Sequence, residues 1–450
     1  MIDTLSLKRI IIDNATSGVL SSYQEGDGTV DSIISELPQP STKRKKLLEQ
    51  EFEYGDKYPI PKHWRWVRLG EISNYGDSPK KVMPSDMHDN MWILELEDIE
   101  AGGKLLSKKR FPERNPAGEK TAFVKGQVLY SKLRPYLRKV LVVDEEGVST
   151  PELIAFDVFG GINVKYITYC LVNSYVDRII NKRSYGVKMP RVDSGFMANL
   201  PIPLPPLEEQ ERIVNTVEKS FEQIDIIDDL QEKYRYDLAT LKSKIIDAGI
   251  RGKLTEQLSE DGDAETLYAQ IQEEKARLIK EGKIKKEKPL EVITEDEIPF
   301  EIPKNWKWVR LGNICPGIKT GSLDANQKDD KGVYPFFTCG EEVYTTSDYA
   351  FDCDAILLGG NNASGDYKMH RYNGKFNAYQ RVYVITGSSI CLDYVFWIIK
   401  YWLPHLKTNS QGMTTRFIKI GQVTGMLVPL PPLKEQERIA SKVEILLEQL

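Results

Sequence analysis

The strongest constraint on the fold of this chain is an internal duplication of two short sequence blocks. Residues 60–72 read IPKHWRWVRLGEI and residues 302–314 read IPKNWKWVRLGNI, with ten of thirteen positions identical. Residues 204–213 read LPPLEEQERI and residues 430–439 read LPPLKEQERI, with nine of ten positions identical. Because both pairs occur in the same order, the chain contains two copies of one framework.

The segments between these blocks have diverged, whereas the framework has not. Residues 73–200 and 315–427 share little sequence, and the first segment is the longer one. This pattern predicts a duplicated scaffold that carries two different modules.

A third, fainter pair of blocks indicates that the duplication is circularly permuted. Residues 7–20 (LKRIIIDNATSGVL) share seven identical positions with residues 241–254 (LKSKIIDAGIRGKL). The second block follows the first copy of the framework, while its counterpart lies at the N-terminus. We therefore expect the N-terminal segment to complete one half of the molecule. The alternative is a truncated chain with an unrelated N-terminal helix.

A long helix is predicted after the first Pro-Pro-Leu motif, since residues 207–248 contain no Gly or Pro. Apolar residues follow a 3,4 alternation that is typical of a coiled-coil seam. The seam consists of Ile213, Val217, Ile224, Ile227, Tyr234, Leu238, Leu241 and Ile245. We expect two such helices to pack antiparallel about a pseudo-two-fold axis; the alternative is a pair of shorter helices with a break near Asp228 and Asp229.

The charge is distributed unevenly along the chain. The net charge is −5, but residues 104–139 carry eleven Lys/Arg against two acids, and residues 366–420 carry eight against two. Residues 208–297 carry fifteen Lys/Arg against twenty-four acids. Local basic surface, rather than total charge, governs phosphate binding. Both inserts are therefore candidates for contact with nucleic acid.

The first insert has two basic segments with shaped backbone. Residues 126–143 (GQVLYSKLRPYLRKVLVV) place basic residues between two predicted strands, and residues 185–191 (YGVKMPR) form a loop with Gly and Pro. Arginine and lysine neutralise phosphates, and arginine also recognises guanine. A solvated basic surface is the alternative. The candidate DNA-binding residues are Lys132, Arg134, Tyr136, Arg138, Lys139, Tyr185, Lys188 and Arg191.

The second insert has a Gly- and Asn-rich loop and further basic residues. Residues 359–365 (GGNNASG) follow a predicted strand but lack the G-x-x-x-x-G-K-[ST] pattern of a phosphate-binding P-loop. Residues 411–416 (QGMTTR) occupy the place of the 185–191 loop in the first copy. The candidate DNA-binding residues are Asn361, Asn362, Ser364, Lys368, Arg371, Tyr379, Arg381, Thr414, Thr415 and Arg416.

Other site types have weak support. The five cysteines form no C-x-x-C pair and the four histidines are scattered, so we expect no metal site. The tryptophans of the repeated blocks are better explained by packing than by base stacking. No run approaches the ~18 apolar residues of a membrane helix, and the N-terminal residues lack the basic region and long apolar run of a secretory signal, so we expect a cytoplasmic protein without membrane contact.

The repeated I-P-x-x-W-x-W-V-x-L-G and L-P-P-L-x-E-Q-E-R-I blocks, with two dissimilar inserts, resemble the specificity subunits of type I restriction–modification systems. The resemblance implies a non-catalytic chain of mixed α/β fold. Its two target-recognition domains would be separated by two long antiparallel coiled-coil helices, pseudo-two-fold and circularly permuted. Each domain would recognise one half of a bipartite site in double-stranded DNA.

The resemblance also implies domain bounds and partners. The helical frame would comprise residues 1–50, 204–289 and 430–450, and the target-recognition domains residues 51–203 and 290–429. Two modification (methyltransferase) subunits, which bind S-adenosylmethionine, would dock on the long helices, and restriction subunits would join them. No cofactor is expected in this chain itself.

Two other classes of protein remain open from the residues alone. The first is a DNA methyltransferase or nuclease with its own recognition domain, although the chain has no N-P-P-[YF] motif and no Gly-rich cofactor loop after a strand. The second is a coiled-coil interaction scaffold with no role on DNA, which leaves the two basic regions unexplained.

Overall fold

The computed structural model describes residues 1–186, 189–286, 288–412 and 414–450. The chain divides into two compact units, Met1–Glu232 and Lys233–Leu450, and the boundary lies within one long helix. Each unit has its own large apolar core.

Thirteen α-helices occur in the described residues. In unit 1 they are α1 Thr4–Thr16, α2 Val30–Ser35, α3 Thr42–Leu48, α4 Leu69–Ile72, α5 Val164–Val172, α6 Ser174–Arg183 and α7 Ser194–Ala198. Helix α8, Leu207–Ile250, begins in unit 1 and ends in unit 2. The remaining helices are α9 Ala264–Lys280, α10 Leu311–Ile314, α11 Leu392–Thr408, α12 Ile420–Thr424 and α13 Leu433–Glu448.

Twenty strands occur in the same residues. Unit 1 contains β1 Arg65–Arg68, β2 Lys81–Val82, β3 Trp92–Leu94, β4 Lys109–Arg110, β5 Lys120–Phe123, β6 Val128–Ser131, β7 Val140–Val142, β8 Gly147–Ser149, β9 Leu153–Phe156 and β10 Pro201–Leu204. Unit 2 contains β11 Lys307–Arg310, β12 Lys319–Thr320, β13 Tyr334–Phe337, β14 Val343–Thr346, β15 Phe351–Gly359, β16 Asn361–Asn362, β17 Met369–Ala378, β18 Val382–Ile385, β19 Arg416–Phe417 and β20 Leu427–Leu430.

In each unit the two repeated blocks meet as an antiparallel strand pair. Strand β1 pairs with β10, with Arg65 opposite Leu204, and β11 pairs with β20, with Lys307 opposite Leu430. The strand pair closes the insert at its base, because the first strand leads into the insert and the second leads out of it into a helix.

The inserts fold as different sheets on this common base. In unit 1 a five-stranded sheet has the order β2-β5-β8-β3-β4, beside a three-stranded sheet β7-β6-β9. In unit 2 one six-stranded sheet has the order β12-β18-β15-β17-β13-β14, beside the two-stranded pair β16-β19. The divergence of the insert sequences is thus matched by different strand orders.

Helix α8 is continuous over 44 residues and passes through Asp228 and Asp229 without a break. At 1.5 Å per residue this corresponds to about 66 Å. Ile213, Val217 and Ile224 of the predicted seam are buried, whereas Tyr234 and Leu241 are exposed, so the seam is packed over only part of its length. The prediction of one long helix is confirmed, and the alternative of two short helices is wrong.

The N-terminal helix packs against the first part of α8 in unit 1. The Thr4 hydroxyl donates a hydrogen bond to Asp228 at 2.6 Å, and the Ser21 hydroxyl donates one to Glu209 at 2.7 Å. Since rising residue numbers in one segment meet falling numbers in the other, α1 runs antiparallel to α8.

The C-terminal helix α13 has the same relation to the last part of α8 in unit 2. Val443 Cγ2 lies 2.8 Å from the place where a Cβ on Gly249 would stand, and the Thr255 hydroxyl donates to Glu435 at 3.2 Å. Helix α13 therefore plays in unit 2 the part that the beginning of α8 plays in unit 1.

Matched contacts show that the correspondence extends to single residues. Gly18 (φ 81°) and Gly252 (φ 71°) have left-handed backbone, and a Cβ on each would meet Pro61 and Pro303 at 2.5 and 2.7 Å. The N-terminal segment thus supplies to unit 1 what the end of α8 supplies to unit 2. The predicted mixed α/β, circularly permuted fold is confirmed.

Candidate DNA interface

Two arginines with unusual backbone mark the most distinctive surface of unit 1. Arg134 and Arg138 have φ values of 50° and 49°, and they flank a single 3₁₀ turn, Pro135–Leu137. Asn90 is the only other non-glycine residue with positive φ among the described residues. Such backbone costs about 1 kcal/mol or more per residue and persists mainly at functional sites.

The charges of these two arginines are available to a ligand. Within the described part of the chain, neither guanidinium makes an ion pair or a hydrogen bond, and Arg134 is exposed. Tyr136, between them, is 50% exposed. Arg138 is half-buried. The loop therefore presents one exposed cation and one aromatic ring to solvent, with a second, partly buried cation beside them.

Much of the surrounding basic region is neutralised internally, in contrast to this loop. Lys108 and Arg110 pair with Glu145, at 3.1 and 2.8 Å. Arg114 forms an ion pair with the buried Asp98. Acidic residues of the protein thus neutralise much of the positive charge of residues 104–139. The cations of the loop that contains Arg134 and Arg138 remain without an acidic partner in the described residues.

A second loop of unit 1 lies directly against the first. Tyr185 and Arg191 exchange two backbone hydrogen bonds, of 2.9 and 2.8 Å, which close the loop 185–191 at its base. The Arg134 backbone N–H donates to the Pro190 carbonyl at 2.7 Å. The two segments that the sequence proposed separately are therefore one surface. Lys188 lies outside the described residues.

The remaining candidates of unit 1 have partners within the protein. Arg191 forms an ion pair with Glu152 at 2.7 Å, and this hydrogen-bonded pairing raises the pKa of Arg191. Lys132 lies 3.9 Å from the same carboxylate. Lys139 donates to the Leu96 carbonyl at 2.7 Å, and its pKa is lowered by burial and by the charge of Arg134. Contacts within the protein therefore hold these three side chains against the surface.

Unit 2 presents a corresponding pair of segments. Asn362 and Arg416 are opposed in the short β16–β19 pair, and Gln411 and Phe417 exchange two backbone hydrogen bonds that close the loop 411–417. The Asn362 side chain accepts hydrogen bonds from the backbone and hydroxyl of Ser364, at 2.8 and 2.7 Å. Thr414, Thr415 and Arg416 are exposed.

The loops at 185–191 and 411–417 have the same construction. Gly186 (φ 97°) and Gly412 (φ 99°) occupy the second position of each, and a Cβ on either would meet a backbone carbonyl, of Met189 or of Thr415. In their described residues, the two loops share this glycine and the closing pair of backbone hydrogen bonds, and they differ in their side chains.

Other candidates of unit 2 are less available. Arg371 is held by Asp354 and by Asp393, the latter at 2.7 Å. Lys368 pairs with Asp366 at 2.7 Å. Tyr379 packs against an apolar cluster, whereas Arg381 is exposed. Asn361 is half-buried beside the loop 411–417.

The tryptophans of the repeated blocks hold the frame together. Trp64 and Trp306 are buried, and their indole N–H groups donate to Glu209 and Glu435 at 3.0 and 2.9 Å. The structure therefore favours packing over base stacking for these two residues. In the described ranges, no group of three or more His, Cys, Asp or Glu side chains could hold a metal ion. No helix there is long and apolar enough to cross a membrane.

The left-handed backbone of Arg134 and Arg138 is the feature of this candidate site that the sequence did not predict. The residues themselves were candidates, but their backbone conformation was not predicted. The signal available was weak: the Arg-Pro-Tyr-Leu-Arg run between two strands indicates a turn, yet most turns of this kind would have a Gly or Asn at a positive φ.

Comparison with known proteins agrees with this duplicated architecture. A family model described as "Type I restriction modification DNA specificity domain" matches residues 151–233 and 303–450, about half of the chain. The chain belongs to this family, and the resemblance drawn from the repeated blocks is confirmed.

Two similar proteins are specificity subunits from Escherichia coli. The EcoDI specificity subunit is 41% identical over 150 residues, which cover 33% of this chain and 33% of that subunit. The EcoAI specificity subunit is 24% identical over 528 aligned residues, which cover 98% of this chain and 88% of that subunit. The chain thus spans one third of the first of these relatives and most of the second.

A solved structure supports the fold. A chain from a study of complex assembly and conformational transition of the type I R-M system superposes with a TM-score of 0.64, at 20% identity. The match covers 87% of this chain and 92% of that chain.

Proposed function

We propose that this chain is the DNA specificity subunit of a type I restriction–modification complex, without catalytic activity of its own. One observation carries the proposal: a single frame, present twice, holds two loops that are closed by the same pair of backbone hydrogen bonds and carry different side chains. The first unit would recognise one half-site through Arg134, Tyr136, Arg138 and the loop 185–191. The second would recognise the other through residues 361–364 and the loop 411–416.

The chemistry of the two surfaces supports different base preferences. Arginine side chains fit the acceptor pair of guanine, whereas asparagine fits the donor and acceptor of adenine. The first unit offers unpaired arginines, and the second offers Asn361, Asn362 and the hydroxyls of Thr414 and Thr415. A bipartite target with two dissimilar halves is the expected consequence.

The partners follow from the same proposal. Double-stranded DNA would be the ligand, two modification subunits that bind S-adenosylmethionine would dock on the helical frame, and restriction subunits would complete the complex. Exposed apolar side chains of α8 support such docking, since Leu230, Tyr234 and Tyr236 are each more than half exposed. The methyltransferase-or-nuclease alternative is disfavoured, because the relatives bear the name of specificity subunits.

Exchange of an insert tests the proposal. Residues 315–426 are replaced by a copy of residues 73–200, and methylated positions are mapped in a host that also expresses the modification subunit. We expect the target to become an inverted repeat of the half-site that the first unit recognises. If the exchanged protein folds and the mapped target is unchanged, the inserts do not determine sequence and the proposal is wrong.

A further inference from the structure

The duplicated frame allows corresponding pockets of the two units to be compared, and one pair differs by a single arginine. In unit 2, Arg251 Nε donates to both carboxylate oxygens of Asp247 at 2.8 Å. Its guanidinium lies over the ring of Phe300, 4.1 Å from the ring centroid. A carboxylate and an aromatic face thus hold a planar cation from two sides.

Unit 1 contains the same carboxylate and the same aromatic face without the arginine. Asp13 corresponds to Asp247 in the repeated block, and Ser17 corresponds to Arg251. Each of these two positions lies directly before a left-handed glycine, Gly18 or Gly252.

The ring of Tyr58 takes the place of the ring of Phe300. Tyr58 packs edge-on against Trp66 with ring centroids 5.0 Å apart, and Phe300 packs edge-on against Trp308 at 4.9 Å. Both rings also meet a tyrosine of the neighbouring helix edge-on, Tyr175 in unit 1 and Tyr401 in unit 2.

A cavity of about 500 Å³ lies where the arginine is missing, and Asp13, Ser17, Asp56, Tyr58 and Tyr175 contribute to its lining. Among the described residues, Asp13 has no cationic partner; its Oδ1 accepts a hydrogen bond from the Ser174 backbone N–H at 2.7 Å. Tyr175 is 6% exposed, and its buried hydroxyl has no hydrogen-bond partner in the same part of the chain. Two polar groups of the lining are therefore left without the cation that their counterparts surround.

One cation already lines the cavity but does not fill the place of Arg251. The guanidinium of Arg178 lies 5.7 Å from the centroid of the Tyr175 ring, and among the described residues it makes no ion pair with Asp13. Asp13 and Asp56 together balance Arg178 and Lys57, so the lining remains neutral in sum. Shape and hydrogen-bond direction, rather than net charge, would decide what binds.

We propose that this cavity of unit 1 receives an arginine side chain from a protein partner, stacked on Tyr58 and paired with Asp13. Unit 2 shows the bound arrangement within one chain, because Arg251 occupies the corresponding place there. Lysine lacks both the planar stacking face and the forked donors, so it is a poor substitute. The inference concerns a protein–protein contact and does not depend on DNA recognition.

The test uses N-acetyl-L-arginine amide, which mimics an arginine within a peptide, and the full chain. Binding is followed by saturation-transfer NMR, with N-acetyl-L-lysine amide as the matched cation. We expect the arginine amide to bind the wild-type chain at least about 10-fold more tightly than the lysine amide. Ser17→Arg should abolish this binding, because the introduced side chain fills the cavity.

A second variant moves the site to the other unit and guards against misfolding. On the Ser17→Arg background, Arg251→Ser should restore binding by emptying the corresponding pocket of unit 2. Asp13→Asn, which keeps the acceptor for Ser174, should weaken binding, whereas Asp247→Asn should not, since its pocket is full. Circular dichroism confirms that each variant is folded.

Four outcomes would overturn the proposal. These are no saturation transfer to the arginine amide, equal binding of the lysine amide, unchanged binding after Ser17→Arg, and tighter binding of free L-arginine than of the blocked amide. The last result would indicate a small-molecule site instead of a partner's side chain.

Discussion

Arg134 holds a backbone conformation that favours glycine, and its charge is left unpaired in the described chain. Folding would be easier with glycine at this position, so the arginine side chain is retained at a cost in stability. This conflict between local backbone preference and residue type is typical of a binding site.

Replacement of Arg134 by glycine should separate the cost of the backbone conformation from the contribution of the side chain to DNA binding. We expect Arg134→Gly to raise the stability of unit 1 by about 1 kcal/mol, because glycine adopts this backbone without strain. The same change should weaken DNA binding by the assembled complex and relax discrimination at one position of the half-site that unit 1 recognises. Thermal unfolding and DNA titrations with single-base variants of the target measure the two quantities.

Lys125→Gly provides a matched control, since Lys125 is an exposed cation of the same insert outside the loop. It should leave recognition of the target unchanged. A variant Arg134→Gly that binds DNA as the wild type does would remove this arginine from the interface.

Unlike Arg134, Arg114 uses its charge within the protein, in an ion pair with the buried Asp98. Asp98 is 1% exposed, and burial acts to raise its pKa, but hydrogen bonds from Arg114, Glu95 N–H and Ser107 lower the pKa below its usual value. Since the folded-state pKa is the lower one, the pair stabilises the protein above the unfolded-state pKa of Asp98. That stability is lost as the pH falls through the folded-state value.

Removal of one partner should therefore be costly at neutral pH. We expect Arg114→Ala to destabilise unit 1 by about 3 kcal/mol, because it leaves a buried carboxylate without its cation. The destabilisation should shrink below about pH 4, where Asp98 is protonated in the unfolded chain. Denaturant unfolding at pH 7 and pH 3.5 measures the difference; an equal loss at both values would contradict it.

At the scale of elements, the loops 185–191 and 411–417 depend on one glycine each. In the second loop, a Cβ on Gly412 would stand 2.2 Å from the Thr415 carbonyl oxygen. The loop must therefore change shape to accept any other residue. The side chains that it displays would change direction as a result.

Gly412→Ala should impair recognition of only one half of the target. We expect the half-site of unit 2 to be recognised with at least about 10-fold lower discrimination, a change of roughly 1.4 kcal/mol or more. Gly421→Ala is the control, since no atom lies within 4 Å of its added Cβ and its φ is not positive. Methylation of targets with single-base changes in either half measures the effect, and equal loss in both halves would contradict it.

Sequence reasoning predicted the frame well and the interface only in outline. The long helix and the paired blocks were predictable, because seam periodicity and repeated sequence depend on local residue patterns. The contact between the Arg134 loop and residues 185–191 was not predictable, since it depends on a long-range hydrogen bond from the Arg134 backbone N–H to the Pro190 carbonyl. The ion pairs of Arg191 and Arg371 were equally hidden, because their acidic partners are 39 and 17 residues away along the chain.

At the scale of the whole molecule, α8 is the element that the two units share. A change in its length therefore tests its role. An insertion of seven residues after Glu232 should lengthen the helix by about 10 Å while almost preserving its apolar face. If α8 sets the distance between the half-sites, the unread gap should grow by about three base pairs, at 3.4 Å each. The half-sites themselves should stay the same.

Mapping of methylated positions measures the gap. The same seven residues inserted after Gly282, in an exposed turn, serve as the control and should leave the gap unchanged. An unchanged gap after the insertion in α8, in a complex that still methylates DNA, would show that the helix does not determine the spacing.

The permuted frame also has a consequence for the order of events during synthesis. Helix α1 leaves the ribosome first, but the part of α8 that covers it follows only about 200 residues later. At common elongation rates of about 5 to 20 residues per second, the nascent helix waits for roughly 10 to 40 seconds for α8, although α5 and α6, which also contact it, emerge earlier. Unit 2 closes only when α13 emerges, so each unit finishes folding on its last-made helix.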